Sequence, residues 1–274
     1  IVAVATLALG IGASTATFSV VHAVLLEELP FEDPDRLVLV WPEVNANKTM
    51  ALLAEERMSS LESVSGMNGW TLTLTGAGEP RELVGLMVQP GYFDLLGVSP
   101  ALGRPFEASA DLPGEAGVVI LSHDLWVGAF GGDPSVVGRA IDLGGAEYDS
   151  RVVVGVMPPG VDELVEDVDV WIPLEGGRSL GLGEDDTWYV NHRIARLAPG
   201  ATLEQANAEV AAYAEEVQRA IPDHFSEDEA RSATVQPLRD YLTRDVRGAV
   251  WVALATVGLV LLIGCFNVAN LLLA

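Results

Sequence analysis

The sequence predicts an α+β domain carried between two membrane-spanning α-helices, and three observations lead there. Every formal charge lies between Glu27 and Arg247, so residues 1–26 and 248–274 contain no Asp, Glu, Lys or Arg. Each uncharged end exceeds the about 20 apolar residues that a helix needs to cross a bilayer core. Between them, β-branched runs alternate with amphipathic stretches of helical period, the pattern of strands interspersed with helices. This partition gives a first transmembrane helix at 1–26, an extracytoplasmic domain at 27–247 and a second transmembrane helix at 248–274. The 274-residue chain has a formal net charge of −24 and one lysine, Lys48. Such a surface repels polyanions, which excludes nucleic acid as a partner.

The first uncharged stretch, IVAVATLALGIGASTATFSVVHAVLL, invites two readings. Gly10 and Gly12 after an apolar run could open a dinucleotide-binding loop, which requires a strand, a tight turn and a helix. The apolar character instead continues through Phe18, Val20, Val21 and Val24 with nothing to mark a turn. Small residues recur every fourth position, as Ala8, Gly12 and Ala16 and as Gly10 and Ser14. That spacing lets membrane helices approach closely, so these five are read as helix-packing positions. In the second stretch Asn267 and Asn270 lie three apart on one helical face and are assigned to contact with another helix. Cys265 is expected to pack among apolar neighbours. The sequence begins without Met or a basic flank and stops while still apolar, so it is read as a fragment cut within two spans. A signal peptide would be shorter and would carry a charged lead and a cleavage site. The acidic residues Glu27, Glu28, Glu32, Asp33 and Asp35 follow the first span, which favours the outside for the central domain.

Within the middle, LVLVW at 37–41 reads as a buried strand, followed by a helix around 51–63. Strands are expected at 70–76 and 82–89, a short helix in GYFDLLG, and a strand at 118–122 that steps into a helix through HDLWVGAFGG. AIDLGGAEYDSRVVVGVMPPG reads as a hairpin turning at Gly144-Gly145, with Tyr148, Val152, Val154 and Val156 on one face. NHRIARL is a further strand. TLEQANAEVAAYAEEVQRAI is the strongest helix: Thr202 caps it, Gln205 completes a capping box, and Leu203, Ala206, Val210, Ala214, Val217 and Ile221 form an apolar stripe. Pro237 ends the last strand.

No catalytic constellation emerges. His22, His123, His192 and His224 form no ligand-spaced pair, and neither a GxSxG elbow nor a Walker A sequence occurs. The acidic runs Glu184-Asp185-Asp186 and Glu227-Asp228-Glu229 lack the alternating oxygens of a calcium loop and are read as solvated loops. The expectation is a chain that is not an enzyme and holds no cofactor or metal.

Seven segments then fall in a familiar order: the stretch TLALGIGASTATFSVVHAVLLEELPFEDPDRLV followed by GYFDLLGVSPALGRPF, VVILSHDLW, FGGDPSVVGRAIDLGG, VVGVMPPG and ARLAPGATLEQANAEV, with LLIGCFNVANLLLA closing the chain. Together they resemble bacterial ABC-transporter permeases of the MacB/FtsX type, closest to duplicated permeases that lack a fused ATPase. The resemblance implies a porter-like α/β domain, with an inserted strand-rich subdomain at about 91–185, in a multi-pass protein of the bacterial inner membrane. It implies transmission of motion from a separate cytoplasmic ABC ATPase to the outer domain, for efflux or envelope transport. Its implied partners are that ATPase, a second permease half or homodimer mate, the lipid bilayer and a periplasmic adaptor. Gly91, Gly97, Gly103, Gly131 and Gly138 match the family pattern as turn and backbone-fit positions. The loop Glu27-Glu28-Leu29-Pro30 departs from the arginines common there. The alternative with the same gross architecture is a transmembrane receptor whose extracytoplasmic domain binds a ligand; a membrane-tethered hydrolase would need a nucleophile–base pair.

Overall fold

A computed structural model describes residues 12, 15, 29–40, 46–47, 58–76, 78–111, 117–144, 150–161, 167–174, 189–190, 192–220, 222 and 226–273. The chain divides into two units, one of which is Pro30–Leu238. That unit holds one large mixed sheet. Its strands are β1 (Leu37–Val40), β3 (Leu61–Leu74), β4 (Arg81–Val88), β5 (Leu102–Gly103), β6 (Val118–Leu121), β7 (Ala140–Asp142), β8 (Ser150–Val156), β9 (Val170–Pro173), β11 (His192–Leu197) and β12 (Val235–Pro237). They lie in the order β12-β1-β11-β3-β4-β9-β6-β8-β5, with β7 beside β8. Pairing is antiparallel except for β4–β9 and β6–β8. A second ladder joins β2 (Ala46–Asn47) to β10 (Tyr189–Val190). The α+β class expected from the sequence is the class observed.

Helices cover the sheet at separate places. α1 (Tyr92–Leu96) and α2 (His123–Phe130) follow β4 and β6, while α3 (Leu203–Ala220) and α4 (Glu227–Arg231) lie between β11 and β12. The capping box of α3 forms as read: Gln205 N–H donates to Thr202 Oγ1 at 3.2 Å, and Thr202 N–H donates to Gln205 Oε1 at 3.0 Å. Ala206, Val210, Ala214 and Val217 of its stripe are buried against Val38, Val40, Leu61, Val64 and Ala195 of the sheet; Ile221 lies outside the described residues. A second core gathers Leu72, Leu83, Met87, Val119, Leu121, Val153 and Val170 beneath Leu125 of α2. Across the sheet, α1 plants Phe93, fully buried, edge-on against Trp171 with ring centroids 5.7 Å apart.

Several expectations need correction. The helix expected at 51–63 fails at its end, because Leu61 already begins β3; residues 50–57 lie outside the described ones. β3 starts well before the expected residue 70. Its first half, with Ser63, Ser65 and Gly66, has weak intrinsic strand preference and is held by its pairing with β11. β11 pairs through Leu61–Met67, β4 through Met67–Leu74. In β8 the expected face is out of phase, since Val152 is 40% exposed while Val153 is fully buried. The cause is a register shift against β6, where Val119 faces Val153 but Ile120 faces Gly155. The extra residue, Val154, lets Val153 and Val156 reach the same core, a phase change that two-residue periodicity does not foresee. The hairpin itself forms, as β7 pairs β8, and its tip at 145–149 lies outside the described residues. Glu227-Asp228-Glu229, read as a loop, is the first turn of α4. Ser226 and Glu229 close a capping box there, and their hydrogen bonds lower the Glu229 pKa.

Four of the five glycines singled out by the resemblance, Gly97, Gly103, Gly131 and Gly138, have positive φ. Gly91 does not; it precedes α1 with φ −76°.

The last helix, α5 (Leu238–Leu273), follows β12 with no intervening residue. Its uncharged part exposes Trp251, Val252, Leu259, Val260, Leu262, Ile263 and Phe266. Cys265 is exposed as well, not packed as expected, because no described residue covers that side of the helix. Among the described residues no helix is long and apolar enough to cross a membrane.

Candidate functional site at the entry to the domain

The residues that bring the chain into the domain meet the sheet through two arginines. Pro30–Arg36 forms a short loop ending in a 3₁₀ turn over Pro34–Arg36, and β1 starts at Leu37. Strand β11, next to β1, places Arg196 opposite Leu37. The Arg196 side chain is buried, 8% exposed. Its Nε and Nη2 donate to Leu95 O at 3.1 and 2.7 Å, Nη2 also to Glu32 O at 2.7 Å, and Nη1 to Asp33 O at 3.4 Å. One planar guanidinium thus ties together the entry loop, the C-terminal turn of α1 and the sheet. Leu95 O is a helix-end carbonyl without an intrahelical partner, the group that a nearby cation satisfies. Among the described residues, every partner of Arg196 is a backbone carbonyl.

Arg36 works in the opposite direction. From the loop it donates through Nε and Nη2 to Leu197 O, at 2.9 and 2.5 Å, and its Nη2 also pairs with the Glu62 carboxylate. The backbone adds Glu32 N–H to Leu96 O at 3.2 Å. Close approach at this point depends on Gly97. With φ +70°, it is the left-handed residue after α1, and a Cβ there would sit 2.3 Å from Glu32 Cβ. At the other end of β1, buried Arg193 donates from Nε to Val40 O at 3.2 Å. Burial pushes its pKa down to about 10, which leaves it charged at neutral pH.

The arrangement offers hydrogen bonds and a fixed chain direction. Ser122 accepts from Leu125 N–H as the cap of α2, and His123 contacts its neighbour Asp124 at 3.5 Å. Among the described residues, no group of His, Cys, Asp and Glu could hold a metal ion.

The residues read as membrane-helix packing positions lie largely outside the described residues. Ala8, Gly10, Ser14 and Ala16 lie outside the described residues. Gly12 is helical and exposed, with nothing within 4 Å of where its Cβ would be. Asn267 and Asn270 are both helical; Asn270 is exposed, and the Asn267 side chain lies outside the described ones. Sequence reasoning missed the two arginine ties. NHRIARL was read as a strand, but nothing in the order of residues shows that the outward Arg196 would meet a loop more than 160 residues away.

The sheet with its flanking helices is the fold of extracytoplasmic domains from ABC-type permeases. It is similar to the periplasmic region of MacB from Actinobacillus actinomycetemcomitans (TM-score 0.58, 11% identity, 81% of this chain and 97% of that one). The extracellular domain of the ABC-type transporter YknZ from Gram-positive bacteria is similar too (TM-score 0.55, 15% identity, 73% of this chain and 98% of that one). A domain of a putative permease protein from Porphyromonas gingivalis gives a TM-score of 0.52 and 19% identity over 76% of this chain and 92% of that one. These likenesses establish the fold. The family of the MacB-like periplasmic core domain matches residues 1–213, and the chain belongs to that family. No curated protein sequence matches the chain.

Proposed function

We propose that the chain is part of a multi-pass permease subunit of an ABC-type transporter in the bacterial inner membrane, with Pro30–Leu238 on the outer side. In this reading 1–26 and 248–274 cross the bilayer, and residues 91–185 form an inserted lobe of the domain. A separate cytoplasmic ABC ATPase drives the helices, which transmit the motion to the outer domain for efflux or envelope transport. A second permease half or an identical mate completes the membrane part, and a periplasmic adaptor is a further partner. The protein itself does no covalent chemistry.

The observation that carries this reading is the join between β12 and α5. Edge strand β12 ends at Pro237, and a 36-residue helix starts at Leu238 without a linker. From residue 248 onward that helix is uncharged and its outer surface is apolar, the character of a lipid-facing helix. Trp251, 67% exposed, stands near the start of this stretch, where an interfacial anchor would lie.

The test uses the full-length protein in living cells, with every native cysteine, Cys265 among them, replaced by Ser as background and Asp124→Cys as the single thiol. Asp124 lies on α2 with its side chain 88% exposed. A membrane-impermeant maleimide is expected to label it in intact cells. Labelling only after permeabilisation would overturn the placement. ATP hydrolysis by the partner ATPase that does not respond to the permease in proteoliposomes would overturn the coupling.

A further inference from the structure

Burial changes abruptly at the peptide between Arg36 and Leu37. Leu37, Val38, Leu39 and Val40 are all buried to 2% exposure or less. In the segment just before them, Phe31 alone is buried among the apolar residues, and the 3₁₀ turn over Pro34–Arg36 buries nothing. A segment with so little apolar burial is held by its polar ties, and those converge on Arg196 and Arg36. Local opening draws on such regions, where few apolar contacts must be broken.

One feature favours opening further. Asp33 is in the left-handed backbone region, φ 42° and ψ 59°, and is one of two non-glycine residues there among those described. That conformation is relieved when the loop lifts, whereas the closed loop lies so near Gly97 that a Cβ there would sit 2.3 Å from Glu32 Cβ. Arg196, held among the described residues by carbonyl oxygens, gives up no carboxylate partner on opening; water replaces the Glu32 and Asp33 carbonyls, while Leu95 O of α1 stays in place.

We infer that Pro30–Arg36 is a strap that Arg196 holds closed and that opens as a unit, pivoting between Asp33 and Leu37, while the ten-stranded sheet stays intact. This use of the strap rests on the permease reading: the chain entering from the first span could then move without unfolding the domain behind it. Arg196 acts as a positioning residue.

Hydrogen exchange on the full-length protein in lipid nanodiscs tests this, comparing the peptide covering 30–36 with the peptides of β3 and β4. In the unmodified protein the strap should exchange faster than the sheet. Arg196→Met should speed exchange in the strap by more than about ten-fold, the loss expected when hydrogen bonds to a charged group are removed, and leave β3 and β4 within about two-fold. Gly97→Ala, which displaces Glu32 and keeps the arginine, should speed the same peptide, so the test survives an Arg196→Met protein that does not fold. Exchange rising together in strap and sheet in both variants, or an unchanged strap, would overturn the inference. The maleimide experiment reads sidedness alone. A strap that opens in a domain labelled only after permeabilisation would keep the strap and remove the permease.

Discussion

Replacing Gly103 by alanine, with Gly131→Ala as its control, separates two reasons for a glycine. Both residues have positive φ, +77° and +66°, so each alanine suffers the left-handed penalty of about 1–2 kcal/mol. At Gly131, after α2, nothing stands within 4 Å of the new carbon, and that penalty is the whole cost. At Gly103 the new carbon would sit 2.1 Å from Val154 O and 2.9 Å from Gly155 Cα. Those atoms belong to the backbone of β8, which β6 and β7 also hold, so they cannot step aside as a side-chain tip would. β5 must move instead. Ala101 N–H to Val156 O at 2.8 Å and Arg104 N–H to Val154 O at 2.9 Å are then lost or stretched. Two backbone hydrogen bonds are worth about 0.5–1.5 kcal/mol each, and overpacking adds about 1–3 kcal/mol. The total expected for Gly103→Ala is about 3–8 kcal/mol, against about 1–2 kcal/mol for Gly131→Ala. Urea unfolding of the full-length protein in detergent, followed by tryptophan emission, reads the difference through the buried Trp171. Equal loss in the two variants would refute the close-approach argument and leave backbone conformation as the only cause.

Three further outcomes follow from the packing and the charges. Phe93→Ala should cost about 3–5 kcal/mol and abolish near-ultraviolet dichroism arising from its edge contact with Trp171, checked by thermal melting with dichroism as the probe. Val153→Thr should destabilise by about 1–3 kcal/mol by burying a hydroxyl, whereas Val152→Thr stays within about 0.5 kcal/mol; the reverse order in denaturant titrations would place the β8 bulge elsewhere. For Glu209, burial alone would raise the pKa, but hydrogen bonds from Ser60 and Ser59 outweigh it and hold the value below the ordinary 4.5. Because the folded-state pKa is depressed, this stabilisation is present above about pH 4.5 and fades as the pH falls through the folded value. Glu209→Gln should therefore flatten that part of the acid limb in pH-dependent melting, and superimposable limbs would show that the contact does not matter.

Much of this architecture was legible in the order of residues, and the reasons are local. α3 could be read because its capping box and its 3,4-spaced stripe are both short-range patterns, and the structure uses them together. α1, α2 and the strands at 118–121 and 192–197 were legible for the same reason. The α4 capping box was equally available in Ser226-Glu227-Asp228-Glu229 but was obscured by reading the acids as a cluster. The uncharged ends announced themselves by composition alone.

What composition and period could not supply is anything set by a partner strand. The first half of β3 is a strand because β11 pairs with it, in spite of Ser63, Ser65 and Gly66. The inward face of β8 is set by one extra residue opposite β6, which shifts the two-residue alternation. Arg196 reads as an ordinary charged strand residue, and becomes the tie between entry loop, helix end and sheet only because β11 lies beside β1. The sequence by itself determined the charge partition, the class of fold and the self-contained helices, since these depend on neighbours within a few residues. Register, the bulge and the arginine ties were decided by tertiary structure, because each is a contact between residues far apart in the chain that no local pattern specifies.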